Sequence, residues 1–117
     1  VLRLIPPDAG GFRQVIEPCE FNGYLIPKGW SVLYNIPKTN QEKSVYTEPS
    51  EFDPERFAPS RAENKSKPFS HATFGGGMRE CIGKEFAKLE MKLFAAALVR
   101  DYEWKLLPDQ DLTIIRE

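Results

Sequence analysis

Cys81 lies in the run Phe74-Gly75-Gly76-Gly77-Met78-Arg79-Glu80-Cys81-Ile82-Gly83, directly ahead of a long amphipathic segment. This arrangement predicts a sulfur on a glycine-rich loop, at or just before a helix N-terminus. The unpaired amides and positive dipole end of a helix favour a thiolate there. A thiolate is a strong axial ligand for haem iron. The glycines let backbone approach a large planar cofactor without Cβ clashes. Arg79, two residues before the sulfur, is placed to pair with an acidic group of that cofactor.

Other chemistries fit these residues less well. Cys81 could be a buried structural thiol or half of a disulfide with Cys19, but two cysteines make no disulfide framework. Zinc is a poor fit, because there is no Cys-x-x-Cys pair and His71 is the only histidine. Gly77 to Lys84 resembles a phosphate-binding loop, yet five residues separate Gly77 from Gly83, one too many, and Glu85 stands where a magnesium-binding Ser or Thr belongs.

The same residues carry a family resemblance. Phe74, Gly77, Arg79, Cys81 and Gly83 match the Phe-x-x-Gly-x-Arg-x-Cys-x-Gly haem-binding signature of the cytochrome P-450 monooxygenases. Phe52-Asp53-Pro54-Glu55-Arg56-Phe57 resembles the family's meander segment, and Arg3 with Ile5-Pro6-Pro7 resembles the end of its Glu-x-x-Arg helix. The acid of that motif would fall one residue before Val1. The resemblance spans essentially the whole chain and implies a mainly α fold with small β-sheets. Residues 1–117 would be its C-terminal portion, a partial domain without the oxygen-activating helix. That portion would hold a β-hairpin region, a long meander loop and the helix following the haem cysteine.

For the site, the resemblance implies haem b with Cys81 as iron ligand and catalytic residue. Phe74, Gly75, Gly77, Arg79, Ile82, Gly83 and Ala87 would contact the haem, with Arg79 on one propionate and Arg13 on the other. Arg3 and Arg56 would form a structural clamp below the haem, holding the cysteine loop. Gly10, Gly11 and Phe12 would line the substrate pocket, and His71 reads as a satisfied structural residue. The implied reaction is oxygen activation and hydroxylation of a small apolar organic substrate, aided by electron donation from the thiolate. Gly10-Gly11-Phe12-Arg13 and the run Pro68 to Phe94 look most like the cyanobacterial and animal branch that hydroxylates retinoic acid, pointing to a retinoid or isoprenoid acid. Pro37-Lys38-Thr39-Asn40 departs from the His-Arg-Asp-like stretch of many members. A haem-thiolate enzyme that uses or rearranges peroxides stays open as an alternative, as does a truncated product without catalysis. The isolated segment is expected to be inactive.

Composition sets outer bounds. Hydrophobic residues make up 41% and charged residues 28% of 117, an ordinary globular mix. A net charge of −1 leaves no footprint for nucleic acid. No apolar run is long enough to span a bilayer. The family resemblance sets the expected location in the cytoplasm or on the cytoplasmic face of a membrane, with any anchor N-terminal.

The elements that must position the loop follow from period and punctuation. Val1 to Ile5 reads as a last helical turn stopped by Pro6-Pro7. Phe12 to Ile16 and Trp30 to Ile36 read as strands, with a hairpin turn at Asn22-Gly23 and a second turn at Pro27-Lys28-Gly29. Pro37 to Ser70 reads as irregular, with one helical turn around Gln41 to Val45. After Cys81, Ile82, Phe86, Leu89, Leu93 and Ala97 line one helical stripe, widened by Ala87, Met91, Phe94 and Leu98. A stripe this wide predicts burial, and Glu90 within it predicts a basic or backbone partner. Lys84, Lys88 and Lys92 form a basic stripe on the other side, read as a docking surface for a ferredoxin or reductase, or as a solvated face.

Overall fold

The computed structural model describes residues 1–111, and the chain divides into two compact units, Val1–Cys81 and a second that begins at Ile82. In the first unit the chain opens on a single turn, with the amides of Leu4 and Ile5 donating to the Val1 carbonyl at 2.9 and 3.0 Å. Pro6 and Pro7 follow, and neither can continue it.

Strand β1 (Gly10–Gln14) pairs antiparallel with β4 (Ser31–Asn35), from Gly10 opposite Asn35 to Gln14 opposite Ser31. The strand expected at Phe12 to Ile16 therefore begins and ends two residues earlier. Gly10 makes this possible: a Cβ there would stand 1.9 Å from the Tyr34 carbonyl oxygen. Strands β2 (Cys19–Phe21) and β3 (Tyr24–Ile26) form the expected hairpin. Asn22 and Gly23 both have positive φ, 52° and 79°, as a type I′ turn requires.

The second strand stops at Asn35 because Ile36 opens a short helix, α1 (Ile36–Thr39). The Asn35 side chain caps it by accepting from the Lys38 amide at 2.8 Å, and Pro37 sits in its first turn, where no amide is needed. The turn expected around Gln41 to Val45 is present, with the Val45 and Tyr46 amides both donating to the Glu42 carbonyl at 3.0 Å. Beyond it come two 3-10 turns, Pro54–Phe57 and Glu63–Lys65. Asp53 caps the first by accepting from the Glu55 amide at 2.9 Å.

The centre of this unit is polar. Ile36 and Tyr46 are its buried hydrophobic side chains, alongside buried Arg3, Asn40, Arg56, Ser70 and Thr73. Burying such groups is favourable only when each is hydrogen-bonded, and among the described residues no buried side-chain polar atom lacks a partner.

The second unit contains helix α2 (Lys84–Asp101). No residue of α2 is buried. Glu90 is likewise exposed, so its carboxylate is solvated and needs no buried partner. No helix among the described residues is long and apolar enough to cross a membrane.

Candidate active site

The cysteine loop is closed on itself. The Cys81 amide donates to the Phe74 carbonyl at 2.9 Å, Gly75 to Ala72 at 2.8 Å, and Glu80 to Gly77 at 3.1 Å. Gly75 and Gly77 take left-handed backbone, φ 71° and 65°, which side-chain-bearing residues adopt at a cost. Gly76 is extended, and there the need for glycine is close approach: the Phe69 ring would lie 2.4 Å from a Cβ.

Cys81 is a free, exposed thiol on the wall of an open cavity of about 290 Å³. Phe74, Gly75, Arg79, Gly10, Pro7, Tyr34 and Ile36 line the same cavity. Asp8 and Thr73 also line it; the sulfur, the guanidinium and the apolar and glycine parts of the wall suit a flat, mostly apolar cofactor with an anionic edge. A second cavity of about 270 Å³ shares Tyr34 and Gly75 with the first and holds Arg13. The Arg13 guanidinium lies 5.1 Å above the Tyr34 ring and donates to the Phe12 carbonyl at 2.7 Å. Gly10 thus faces the thiol's cavity and Arg13 the neighbouring one. Gly11 packs under the Tyr34 ring, its missing Cβ 2.5 Å from the Tyr34 hydroxyl, and Phe12 is 70% exposed. Ile82, Gly83 and Ala87 belong to the second unit, where Gly83 caps α2 and accepts from the Ala87 amide at 2.8 Å.

Behind the loop, two buried arginines meet at one carbonyl. Arg3 Nη2 and Arg56 Nη2 each donate to the Glu51 carbonyl at 3.2 Å. Arg56 saturates all five of its donors: Nε on the Asp53 carbonyl, Nη1 on the Thr47 carbonyl and Glu63 Oε2, Nη2 on the Glu48 and Glu51 carbonyls. Arg3 Nη1 donates to the Asn40 carbonyl at 2.9 Å, and its guanidinium sits 4.8 Å from the Tyr46 ring centre. Burial, with the positive charge of Arg56 adding to it, pushes the Arg3 guanidinium below its usual range.

A family model described as Cytochrome P450 matches residues 1–117. The chain belongs to the cytochrome P450 family. It is 53% identical over 98% of its length to a putative cytochrome P450 120 of Synechocystis, covering 26% of that protein. It is 48% identical over 91% of its length to cytochrome P450 26A1 of Gallus gallus, covering 21% of it. The structure of a retinoic acid-bound cyanobacterial CYP120A1 matches with a TM-score of 0.88 at 54% identity, over 95% of this chain and 26% of that one. The chain therefore spans about a quarter of the length of these P450 relatives. Members of the family are monooxygenases that bind haem b, and the small antiparallel sheets and helix are a part of the P450 fold.

Three contributors to this P450 site escaped the sequence reading. Asn40 is fully buried and joins Arg3 to Ala72 and Thr73. Arg61 and Glu63 complete an ion network: Arg61 bonds Asp53 and Glu63 at 2.6 Å each, and Arg56 bonds Glu63 at 2.7 Å. Their contacts join separate turns of the meander, so no local spacing announces them. His71 is half-buried, edge-on to Phe57 with ring centroids 6.0 Å apart and its Nε2 3.5 Å from Thr73 Oγ1, a structural setting.

The network makes stability depend on pH. The Arg61 hydrogen bond holds the Asp53 carboxyl below the usual range. Desolvation pushes the Glu63 carboxyl up, but the bonds from Arg61 and Arg56 together outweigh it and hold that group down as well. Folded-state values below the unfolded ones mean stabilisation that is complete above the ordinary carboxylate range and lost as pH falls through the depressed values. Thermal midpoints of the full-length protein should fall over that acidic window, and Arg61→Ala should flatten the dependence.

Proposed function

We propose that this chain is the cysteine-loop portion of a haem-thiolate monooxygenase that hydroxylates a long apolar acid, with retinoic acid or a related isoprenoid as substrate. The observation that carries the reading is the Cys81 thiol, exposed on the wall of a cavity shared with Phe74, Gly75 and Arg79. The residues present fit haem b: a free thiol for the iron, an arginine for a propionate, and glycines where a flat ring must approach.

When bound, the haem supplies dioxygen binding and reductive O–O cleavage. This chain's own residues do the rest. Cys81 would hold the iron as a thiolate and supply it with electron density. Arg79 would neutralise one propionate and Arg13, from the adjoining cavity, the other. The Phe74–Cys81 hydrogen bond and the left-handed glycines fix the direction of the sulfur. Arg3 and Arg56 hold the meander that backs the loop. Gly10 leaves room beside the sulfur's cavity for substrate, Gly11 keeps the backbone close under Tyr34, and Phe12 adds an apolar surface nearby. Ile82, Gly83 and Ala87 carry the backbone from the cysteine into α2.

The retinoid assignment draws on the solved relative, which holds retinoic acid. Electrons arrive from a ferredoxin or reductase, and Lys84, Lys88 and Lys92 on α2 offer it a cationic face. Glu85, which takes the Lys88 ammonium at 2.9 Å, dilutes that face.

Titration of the ferric full-length protein with retinoic acid tests the substrate. A spin-state shift in the Soret band and a hydroxylated product with ferredoxin and NADPH-driven reduction are expected. Neither a shift nor a product would remove retinoids from the reading. In the same assay, reversing the charge of the three lysines should slow reduction most at low ionic strength, where repulsion of an acidic partner is least screened.

A further inference from the structure

We infer that Asn40 is a positioning residue for the cysteine loop, transmitting the placement of the arginine clamp to the segment from which the loop departs. The inference rests on the haem-thiolate reading only for what the loop holds.

Asn40 is 0% exposed and every polar group it has is engaged. Its backbone amide donates to the Ile36 carbonyl at 2.9 Å, and its carbonyl accepts from Arg3 Nη1 at 2.9 Å. Side-chain Oδ1 accepts from the Ala72 amide at 2.8 Å. Side-chain Nδ2 donates to the Arg3 carbonyl at 3.3 Å and to Thr73 Oγ1 at 2.9 Å. A backbone amide can only donate, so the Ala72 contact fixes which end of the carboxamide is oxygen. Thr73 Oγ1, having accepted, passes its own proton to the Leu2 carbonyl at 2.9 Å. One side chain therefore ties the first turn, α1 and residues 72–73 together.

The path onward is short. Ala72 is held at both ends: its amide is given to Asn40, and its carbonyl accepts from Gly75, the first glycine of the loop. Phe74, next to Thr73, supplies the carbonyl that receives the Cys81 amide. A shift at Ala72 and Thr73 is thus delivered to two of the three hydrogen bonds that close the loop, Gly75 to Ala72 and Cys81 to Phe74. Satisfied polar networks in a low dielectric rigidify what they join, and a single mismatched member undoes that.

Asn40→Asp in the full-length protein keeps the volume and the Oδ1 acceptor, but turns the donor end into an acceptor facing the Arg3 carbonyl. Two readouts are expected to move. Amide exchange at Gly75 and Cys81 should quicken about tenfold. In the reduced carbon monoxide complex, part of the retained haem should lose its thiolate-type Soret band. Tyr46→Phe is the comparison, because it removes the Tyr46 hydroxyl bond to the Ser70 carbonyl, off this path. It should lower the thermal midpoint and leave both readouts unchanged. Equal exchange in Asn40→Asp and wild type, or the same change in Tyr46→Phe at matched stability, overturns the inference. Should Asn40→Asp not fold, Thr73→Val removes the Nδ2 acceptor, and with it the Thr73 bond to the Leu2 carbonyl, at similar volume and is read in the same two ways. Amide exchange needs no haem, so wild type lacking any thiolate-type band would defeat the haem-thiolate reading while Asn40 is still decided.

Discussion

Replacing Cys81 by alanine in the full-length protein is expected to abolish the strongly red-shifted Soret band of the reduced carbon monoxide complex and all hydroxylation. The sulfur is exposed on the cavity wall, and no other group lining that cavity can give iron an anionic soft donor. Cys81→Ser keeps the shape of the side chain and should fail almost as completely, since a neutral hydroxyl supplies little of the electron donation that O–O cleavage needs. Cys19→Ala is the control. That thiol is also free and exposed, but it lies on β2 and lines neither of the two cavities around Tyr34. Spectrum and turnover should match wild type. A thiolate-type band surviving in Cys81→Ala would move the ligand to another sulfur and take the loop's proposed role with it.

Arg56→Ala should be the most destabilising single change in the first unit. It strips the donor from the carbonyls of Thr47, Glu48 and Asp53, leaves the Glu51 carbonyl with Arg3 alone and leaves Glu63 with Arg61 alone. Removing one partner of a buried ion pair costs about 3–5 kcal/mol, against a total stability of roughly 5–15 kcal/mol for a typical domain. Loss of haem on purification and a thermal midpoint lowered by many degrees are expected. Arg56→Lys should recover little, because an ammonium cannot reach acceptors spread around a planar fork. Arg61→Ala, at an exposed position, should leave haem content near wild type. Comparable losses in Arg61→Ala and Arg56→Ala would show that the meander is not held from its buried side.

Much of this was legible in the sequence where one residue type answers to one local geometry. Asn22-Gly23 gave the hairpin because both positions need left-handed backbone. Cys81, Arg79, Phe74 and Gly75, close in sequence, line one cavity. Arg3 and Arg56 were marked by family resemblance, and the structure brings them to one carbonyl. Local signals were also misread. Asn35 with Pro37 is a helix cap and first turn, yet the apolar run through Ile36 read as strand. Asn40 left no trace, since an asparagine after a short helix reads as a turn residue until Arg3, Ala72 and Thr73 are seen to surround it. For α2, periodicity shows that a face is apolar and not what lies on it.

The clamp has a consequence for how this segment can drift over generations. Arg56 and Arg3 grip the meander almost wholly by main-chain oxygens, those of Asn40, Thr47, Glu48, Glu51 and Asp53. Every amino acid carries that oxygen. The identities of Thr47, Glu48 and Glu51 are therefore nearly free to wander, while the number of residues between Asn40 and Arg56 is not. A single insertion there would carry the oxygens out of reach, whereas a wholesale rewriting of the side chains would leave the grip intact. The grip constrains the segment's length and path, and leaves much of its lettering open to other uses on the surface.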